Sequence, residues 1–220
     1  MIDQRGREEA WPYLEIFVTF DCVMEKNELR RTVRACAERY DAGEREDISR
    51  RILERVERMP EFQSAERIAL YWSLPNEVAT HRFVERWSGS KRIYLPVMQG
   101  EGLLLRRFIG SGRLQEARFG VFEPEEGETI PLSEVDLIVV PAVGYDRMGN
   151  RLGHGKGFYD RLLREGDDTL KIGICFDYQL FDAIPVAEFD VPVDRVVSGS
   201  KTQINVWRRG IPDLDSDSYR

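Results

Sequence analysis

Val135-Asp136-Leu137-Ile138-Val139-Val140 runs through Pro141-Ala142-Val143-Gly144-Tyr145-Asp146-Arg147-Met148-Gly149-Asn150-Arg151-Leu152-Gly153-His154-Gly155-Lys156-Gly157 into Phe158-Tyr159-Asp160-Arg161-Leu162-Leu163. The opening run is apolar but for Asp136, the pattern of a strand buried on both faces of a parallel sheet. The closing run opens a helix. Between them Gly149, Gly153, Gly155 and Gly157 alternate with Arg147, Arg151 and Lys156. Glycines let backbone amides approach an anion closely, a helix start adds the positive end of its dipole, and the cations supply charge. Strand, cationic glycine loop and helix read as a phosphate cradle. The glycines alone also fit a flexible surface loop. They are not a P-loop, because Gly157 rather than Ser or Thr follows Lys156 and Asn150 stands where the first P-loop glycine belongs. Nor are they the dinucleotide fingerprint, because they run G-x-G-x-G.

Outward from this stretch the chain alternates strands and helices. Leu29, Val33, Ala37 and Tyr40 predict a helix over 26–40, and Ile48, Ile52, Val56 and Met59 a second one capped by Asp47 and stopped by Pro60. Strands are expected at 67–72, 92–97, 103–109 and 170–176, with shorter ones at 193–197 and 204–207. A helix is expected at 77–87, a Gly110-Ser111-Gly112 turn, and a polar loop over 123–131. This β-α-β order predicts an α/β fold, an open, mostly parallel Rossmann-like sheet flanked by helices.

Composition excludes several classes. A net charge of −7 and a pI near 5.1 argue against nucleic-acid binding. Cys22, Cys36 and Cys175 are too few and scattered for a disulfide framework or zinc site, which points to a reducing cytoplasm. With only His81 and His154, a multi-histidine metal centre is excluded, and no serine sits in a nucleophile elbow. Tyr13–Met24, the most apolar segment near the start, carries Glu15 and Asp21 and lacks a cleavage site, so neither a membrane span nor a signal peptide is expected. No repeat or Gly/Ser-rich linker divides the 220 residues, so one domain is expected.

Taken whole, Pro-x-x-x-(aromatic)-Asp-x-x-Gly-x-Arg-Leu-Gly-x-Gly-x-Gly-(aromatic)-Tyr-Asp-Arg resembles the signature of the 5-formyltetrahydrofolate cyclo-ligase (methenyltetrahydrofolate synthetase) family. The resemblance begins near Glu25-Lys26, so Met1 to Val23 is expected to be a dispensable extension, 24–207 a single α/β domain, and 208–220 a frayed polar tail.

What the resemblance implies is specific. Lys26 and Arg30, one helical turn apart, are on their own merely a solvated helix face. As the family's Lys-x-x-x-Arg motif they would join Arg151, Leu152, Gly153, His154, Gly155, Lys156, Gly157, Phe158 and Tyr159 in binding ATP, with Arg151 and Lys156 in catalytic roles. His154 sits at a variable position and is given no catalytic role. Trp72 and Glu77, by themselves a rim aromatic and a first-turn carboxylate, would contact the pterin part of the folate. Phe119-Gly120-Val121-Phe122-Glu123-Pro124 would shape the cleft. Asp160 falls in the first turn after the loop, where a carboxylate would repel phosphates unless a divalent cation intervened. It and a downstream aspartate would hold Mg²⁺; Asp190 matches, with Asp194 a rival.

The implied reaction converts 5-formyltetrahydrofolate and ATP to 5,10-methenyltetrahydrofolate, ADP and phosphate. Phosphorylation of the formyl oxygen makes it a leaving group, and the substrate's own N10 closes the ring, so no protein nucleophile is needed. A non-catalytic folate- or nucleotide-binding relative, or a sugar-phosphate isomerase or acyl-CoA-transferase-like enzyme on a similar sheet, are the alternatives. The expected partner is the small-molecule folate, with no nucleic acid or membrane, and a monomer or weak homo-oligomer.

Overall fold

Eight strands form the central sheet, and the run at Val135–Val140 lies near its middle, flanked on both sides by parallel neighbours. The computed structural model describes residues 25–200 and the backbone of strand residues 202–204. The extension 1–23 with Cys22, the stretch 205–207 and the tail from Arg208 lie outside the described residues.

In chain order the elements are α1 (Lys26–Ala37), α2 (Ala42–Glu57), α3 (Pro60–Ser64), β1 (Arg67–Ala69), α4 (His81–Ser88), β2 (Arg92–Gln99) and β3 (Gly102–Arg107). Then follow β4 (Leu114–Glu116), β5 (Phe122–Pro124), β6 (Thr129–Ile130), β7 (Leu137–Val140), β8 (Gly144–Asp146) and β9 (Arg151–Leu152). The chain continues through α5 (Phe158–Leu163), β10 (Leu170–Ile174), β11 (Leu180–Phe181), β12 (Arg195–Val197) and β13 (Thr202–Ile204). The sheet order is β13-β12-β10-β7-β1-β2-β3-β6. β12, β10, β7, β1 and β2 are parallel, and the antiparallel β13, β3 and β6 lie at the edges.

The alternation of side chains along β7 divides the core in two. Leu137 and Val139 pack with Ile52, Phe62 and Phe83 of the α2–α4 side. Ile138 and Val140 pack with Leu132, Leu162 and Tyr145 of the α5 side. Each such buried side chain stabilises the fold by roughly 1.5–3 kcal/mol, which is why this run tolerates no second polar residue. Asp136 stands just outside the strand, where its Oδ2 accepts the Glu66 and Arg67 amides at 2.8 Å each and anchors the start of β1.

Several sequence expectations shift. Asp47 does not cap α2; Asp41 does, accepting the Glu44 amide at 2.8 Å while Glu44 accepts the Asp41 amide at 3.0 Å. This reciprocal box satisfies the Asp41 and Glu44 amides and starts the helix at Ala42, which leaves Asp47 inside it. The first helix ends at Ala37, freeing the Tyr40 ring to stack on Tyr178. The helix expected from Glu77 begins at His81, because Glu77 is occupied in a turn with Leu74. The expected loop at 123–131 contains parts of β5 and β6.

β1 connects through α4 to β2 on one side of the sheet, whereas β7 connects through α5 to β10 on the other. β1 and β7 are neighbours, so their carboxyl ends part at a topological switch point, where open α/β sheets bind ligands. No helix among the described residues is long and apolar enough to cross a membrane.

Candidate active site

At that switch point lies a cavity of about 670 Å³. Tyr71 and Trp72 enter it from the end of β1 and Pro141 from the end of β7. Lys26 and Arg30 of α1, Trp72, Glu77, Arg151, the stretch Gly153 to Asp160, and Asp190 all line it, so nearly every residue expected from the sequence converges there. Leu152 is the exception. It is 0% exposed and packs against Leu29 and Ile184, so it supports the loop from beneath and presents no side chain to a ligand.

The glycine stretch is more ordered than a loop of alternating glycines suggests. β8 and β9 pair as a hairpin, Gly144 opposite Leu152 and Tyr145 opposite Arg151. Asp146 holds the hairpin together: its Oδ1 accepts the Met148 and Asn150 amides, and its Oδ2 accepts Asn150 Nδ2 and the Ile184 amide. Arg147 is at the hairpin end, paired with Asp182 at 3.0 Å, and neither it nor Gly149 lines the cavity. The cradle is therefore 153–157. Gly155 and Gly157 have φ of +92° and +67°, a region costly to residues with a Cβ. Arg30 Nε donates to the Gly153 carbonyl at 2.9 Å and braces the loop against α1. The helix that follows has only 6 residues, so its dipole contributes less than expected.

Two cations of the site are paired with two of its carboxylates. Arg151 bonds Asp160 at 2.8 Å with side chains 5% and 15% exposed, and Lys26 bonds Asp190 at 2.5 Å. Burial pushes the Asp190 carboxyl up, but bonds from Lys26 and the Ala187 amide, with the charges of Lys26 and Arg151, outweigh it and hold the group below the usual carboxylate range. Arg151 Nε is buried and has no hydrogen-bond partner among the described residues, which leaves donor capacity for an incoming anion. Asp194, the rival of Asp190, accepts the Lys171 amide at 2.7 Å at the start of β10 and does not line the cavity.

The other half of the cavity is apolar. Trp72 is stacked between His81, 4.3 Å between centroids, and Phe108 at 5.8 Å. Glu77 accepts the Leu74 amide at 2.9 Å through Oε2, and its Oε1 lies 3.8 Å from His154 Nε2. Phe119, held at φ +66° and 68% exposed, and Phe122 form a strap over the opening. Glu123, 5% exposed, accepts the Met98 amide at 2.9 Å and ties that strap to β2. Burial and the Glu77 charge push the phenols of Tyr71 and Tyr159 up, so both stay protonated and neither acts as a base.

A profile of the 5-formyltetrahydrofolate cyclo-ligase family matches residues 23–199. The chain belongs to that family. The cyclo-ligase of Haemophilus influenzae is 28% identical over 183 residues, spanning 80% of this chain and 98% of the relative. That of Escherichia coli strain K12 is 32% identical over 172 residues, spanning 74% and 92%. The solved 5,10-methenyltetrahydrofolate synthetase of Aquifex aeolicus superposes with a TM-score of 0.77 at 32% identity, over 88% of this chain and 100% of that one. The Mycoplasma pneumoniae synthetase, at 24% identity and a TM-score of 0.64, shares the fold over 79% of this chain and 98% of its own. Membership in the cyclo-ligase family decides for an enzyme over a binding module or an isomerase.

Sequence reasoning missed the apolar wall of this cyclo-ligase cavity: Tyr71, Leu74, Pro96, Met98, Leu103 and Pro141. Met98 and Leu103 sit opposite each other across the β2–β3 hairpin. A signal existed, since Tyr71, Leu74 and Pro141 follow strands that the β-α-β order already placed at the switch point.

Proposed function

We propose that this cyclo-ligase converts 5-formyltetrahydrofolate to 5,10-methenyltetrahydrofolate in an ATP- and Mg²⁺-dependent reaction. The observation that carries the reading is the division of one cavity into a cationic glycine end and an apolar, aromatic end that also presents the Glu77 carboxylate. A nucleotide's terminal phosphates suit the first, a pterin the second.

Loop 153–157, with Lys26, Arg30, Arg151 and Lys156, holds the triphosphate. Glu77 accepts N–H bonds from the pterin, Trp72 borders it, and the Phe119–Phe122 strap covers it. The formyl oxygen then takes the γ-phosphoryl group and ADP leaves. N10 attacks the formyl carbon and loses its proton, the C–O bond breaks, and phosphate departs with the oxygen. Each step asks the protein for alignment and charge neutralisation rather than a nucleophile. Arg151 and Lys156 meet the charge that develops on the transferred group, and loss of one such cation raises the barrier by about 3 kcal/mol, about a hundredfold in rate.

The donor set suits Mg²⁺. Among the described residues no group of three or more His, Cys, Asp or Glu could enclose a metal by itself. Asp160 and Asp190 supply two carboxylates, which is what Mg²⁺ takes when phosphate oxygens and water complete its shell. When bound, the ion would screen phosphate charge from these carboxylates. The pairs Arg151–Asp160 and Lys26–Asp190 are then the resting arrangement, in which each cation neutralises a future metal ligand.

The free thiols of Cys36 and Cys175 accord with a cytoplasmic location. The test is direct: enzyme, 5-formyltetrahydrofolate and Mg-ATP are mixed and the near-ultraviolet band of methenyltetrahydrofolate is followed. Growth of the band with equimolar ADP supports the reading; a silent trace with folded protein, or a band independent of ATP, overturns it.

A further inference from the structure

Arg161 closes the signature stretch, yet no role in the proposed reaction falls to it. Its guanidinium forks between two segments far apart in sequence. Nε donates to the Glu101 carbonyl at 2.7 Å and the second nitrogen donates to the Lys156 carbonyl at 2.9 Å. Its carbon lies 5.3 Å from the centroid of the Phe158 ring.

Both ends of the fork matter for the cavity. Glu101 is in the β2–β3 turn, three residues after Met98 and two before Leu103, which belong to the apolar wall. Lys156 is the loop cation, set between Gly155 and Gly157, whose left-handed conformations leave the loop backbone with little steric restraint of its own. A planar fork fixes the direction of both carbonyls at once, which one flexible ammonium does not.

We propose that Arg161 is a positioning residue that couples the two halves of the cavity, so that a folate seated on the β2–β3 wall tightens the grip of loop 153–157 on the nucleotide, and the reverse. The assignment of the halves rests on the function proposed above; the tether itself does not. Coupling of this kind is reciprocal, each ligand raising the other's affinity by one factor, here of order 5–150-fold.

The experiment compares wild type with Arg161→Gln and Arg161→Lys in two arms. Without ligand, hydrogen exchange is followed in segments 99–103 and 153–157. Joint loss of protection in both segments in both variants supports the tether. Protection lost in one segment only, or in neither, overturns it. With ligand, calorimetry gives the dissociation constant of a non-hydrolysable Mg-ATP analogue with and without 5-formyltetrahydrofolate. The expected result is a coupling factor of at least about fivefold in wild type that falls to about one in both variants, while each ligand alone binds within about twofold of wild type. An undiminished factor in the variants, or rescue by lysine, overturns the coupling. Wild type that takes up no nucleotide overturns the proposed function and the coupling with it, whereas the exchange arm still decides the tether.

Discussion

Arg151 offers the sharpest test of how the site is built. From the sequence it is a loop cation whose loss ought to silence catalysis and spare the fold. The structure puts it in β9, 7% exposed, against an Asp160 carboxylate whose side chain is 15% exposed. Arg151→Ala would strand that carboxylate in a site largely closed to water. Removing one partner of a buried pair costs about 3–5 kcal/mol, because the remaining charge keeps its desolvation penalty and loses its compensation. For a chain of this length that is a fall in melting temperature of about 6–20 °C. Arg147 is the internal control. It pairs with Asp182 at a similar 3.0 Å, but with side chains 73% and 92% exposed. Arg147→Ala should therefore cost less than about 1 kcal/mol. The assay is urea unfolding at neutral pH, with turnover measured at a temperature where each variant is folded. Arg151→Ala is expected to lose stability and about a hundredfold in rate together. The double replacement Arg151→Met with Asp160→Leu should regain most of the stability and none of the rate, since an apolar pair carries no desolvation penalty. Equal stability losses at 147 and 151, or an Arg151→Ala protein within about 1 kcal/mol of wild type, would refute the reasoning.

Lys156, exposed and without an ion pair among the described residues, should separate the two effects: Lys156→Ala is expected to lower turnover about a hundredfold while stability stays within about 0.5 kcal/mol, read from saturating-ATP kinetics and urea midpoints. Gly173→Ala would place a Cβ 2.5 Å from the Tyr145 ring, whose hydroxyl donates to the Val140 carbonyl, so a loss of about 1–3 kcal/mol in unfolding is expected. Because Lys26 helps hold the Asp190 carboxyl below its unfolded value, that pair stabilises the protein above the unfolded value and loses its contribution as pH falls through the folded one. Lys26→Met should thus lower stability at neutral pH and flatten its decline as pH falls through the acid range, measured by urea unfolding from neutral pH downward. Removal of residues 1–23 is expected to leave turnover within about twofold.

What the sequence disclosed and what it hid divide along a physical line. β7 was legible because burial on both faces demands an unbroken apolar run, a demand each of Leu137, Ile138, Val139 and Val140 states by itself. The glycine turn was legible because Gly155 and Gly157 hold backbone angles that other residues resist. Cap placement was misread where two signals competed: Asp47 and Asp41 both precede apolar positions, and only the reciprocal partner Glu44 distinguishes them. The pairing of Lys26 and Arg151 with carboxylates was hidden altogether. Lys26 and Asp190 are 164 residues apart, and nothing local to either announces the other. That pairing also changes what the signature means. Arg151 and Asp160 stand nine positions apart in one signature string, and read singly they are expected to be a phosphate ligand and a metal ligand. Read as a pair, they are a neutral unit that lets charge be kept in a low-exposure pocket before any ligand arrives. If the site receives a triphosphate, as proposed, it needs cations it can spare at the moment of binding, and carboxylates already present give those cations somewhere to rest.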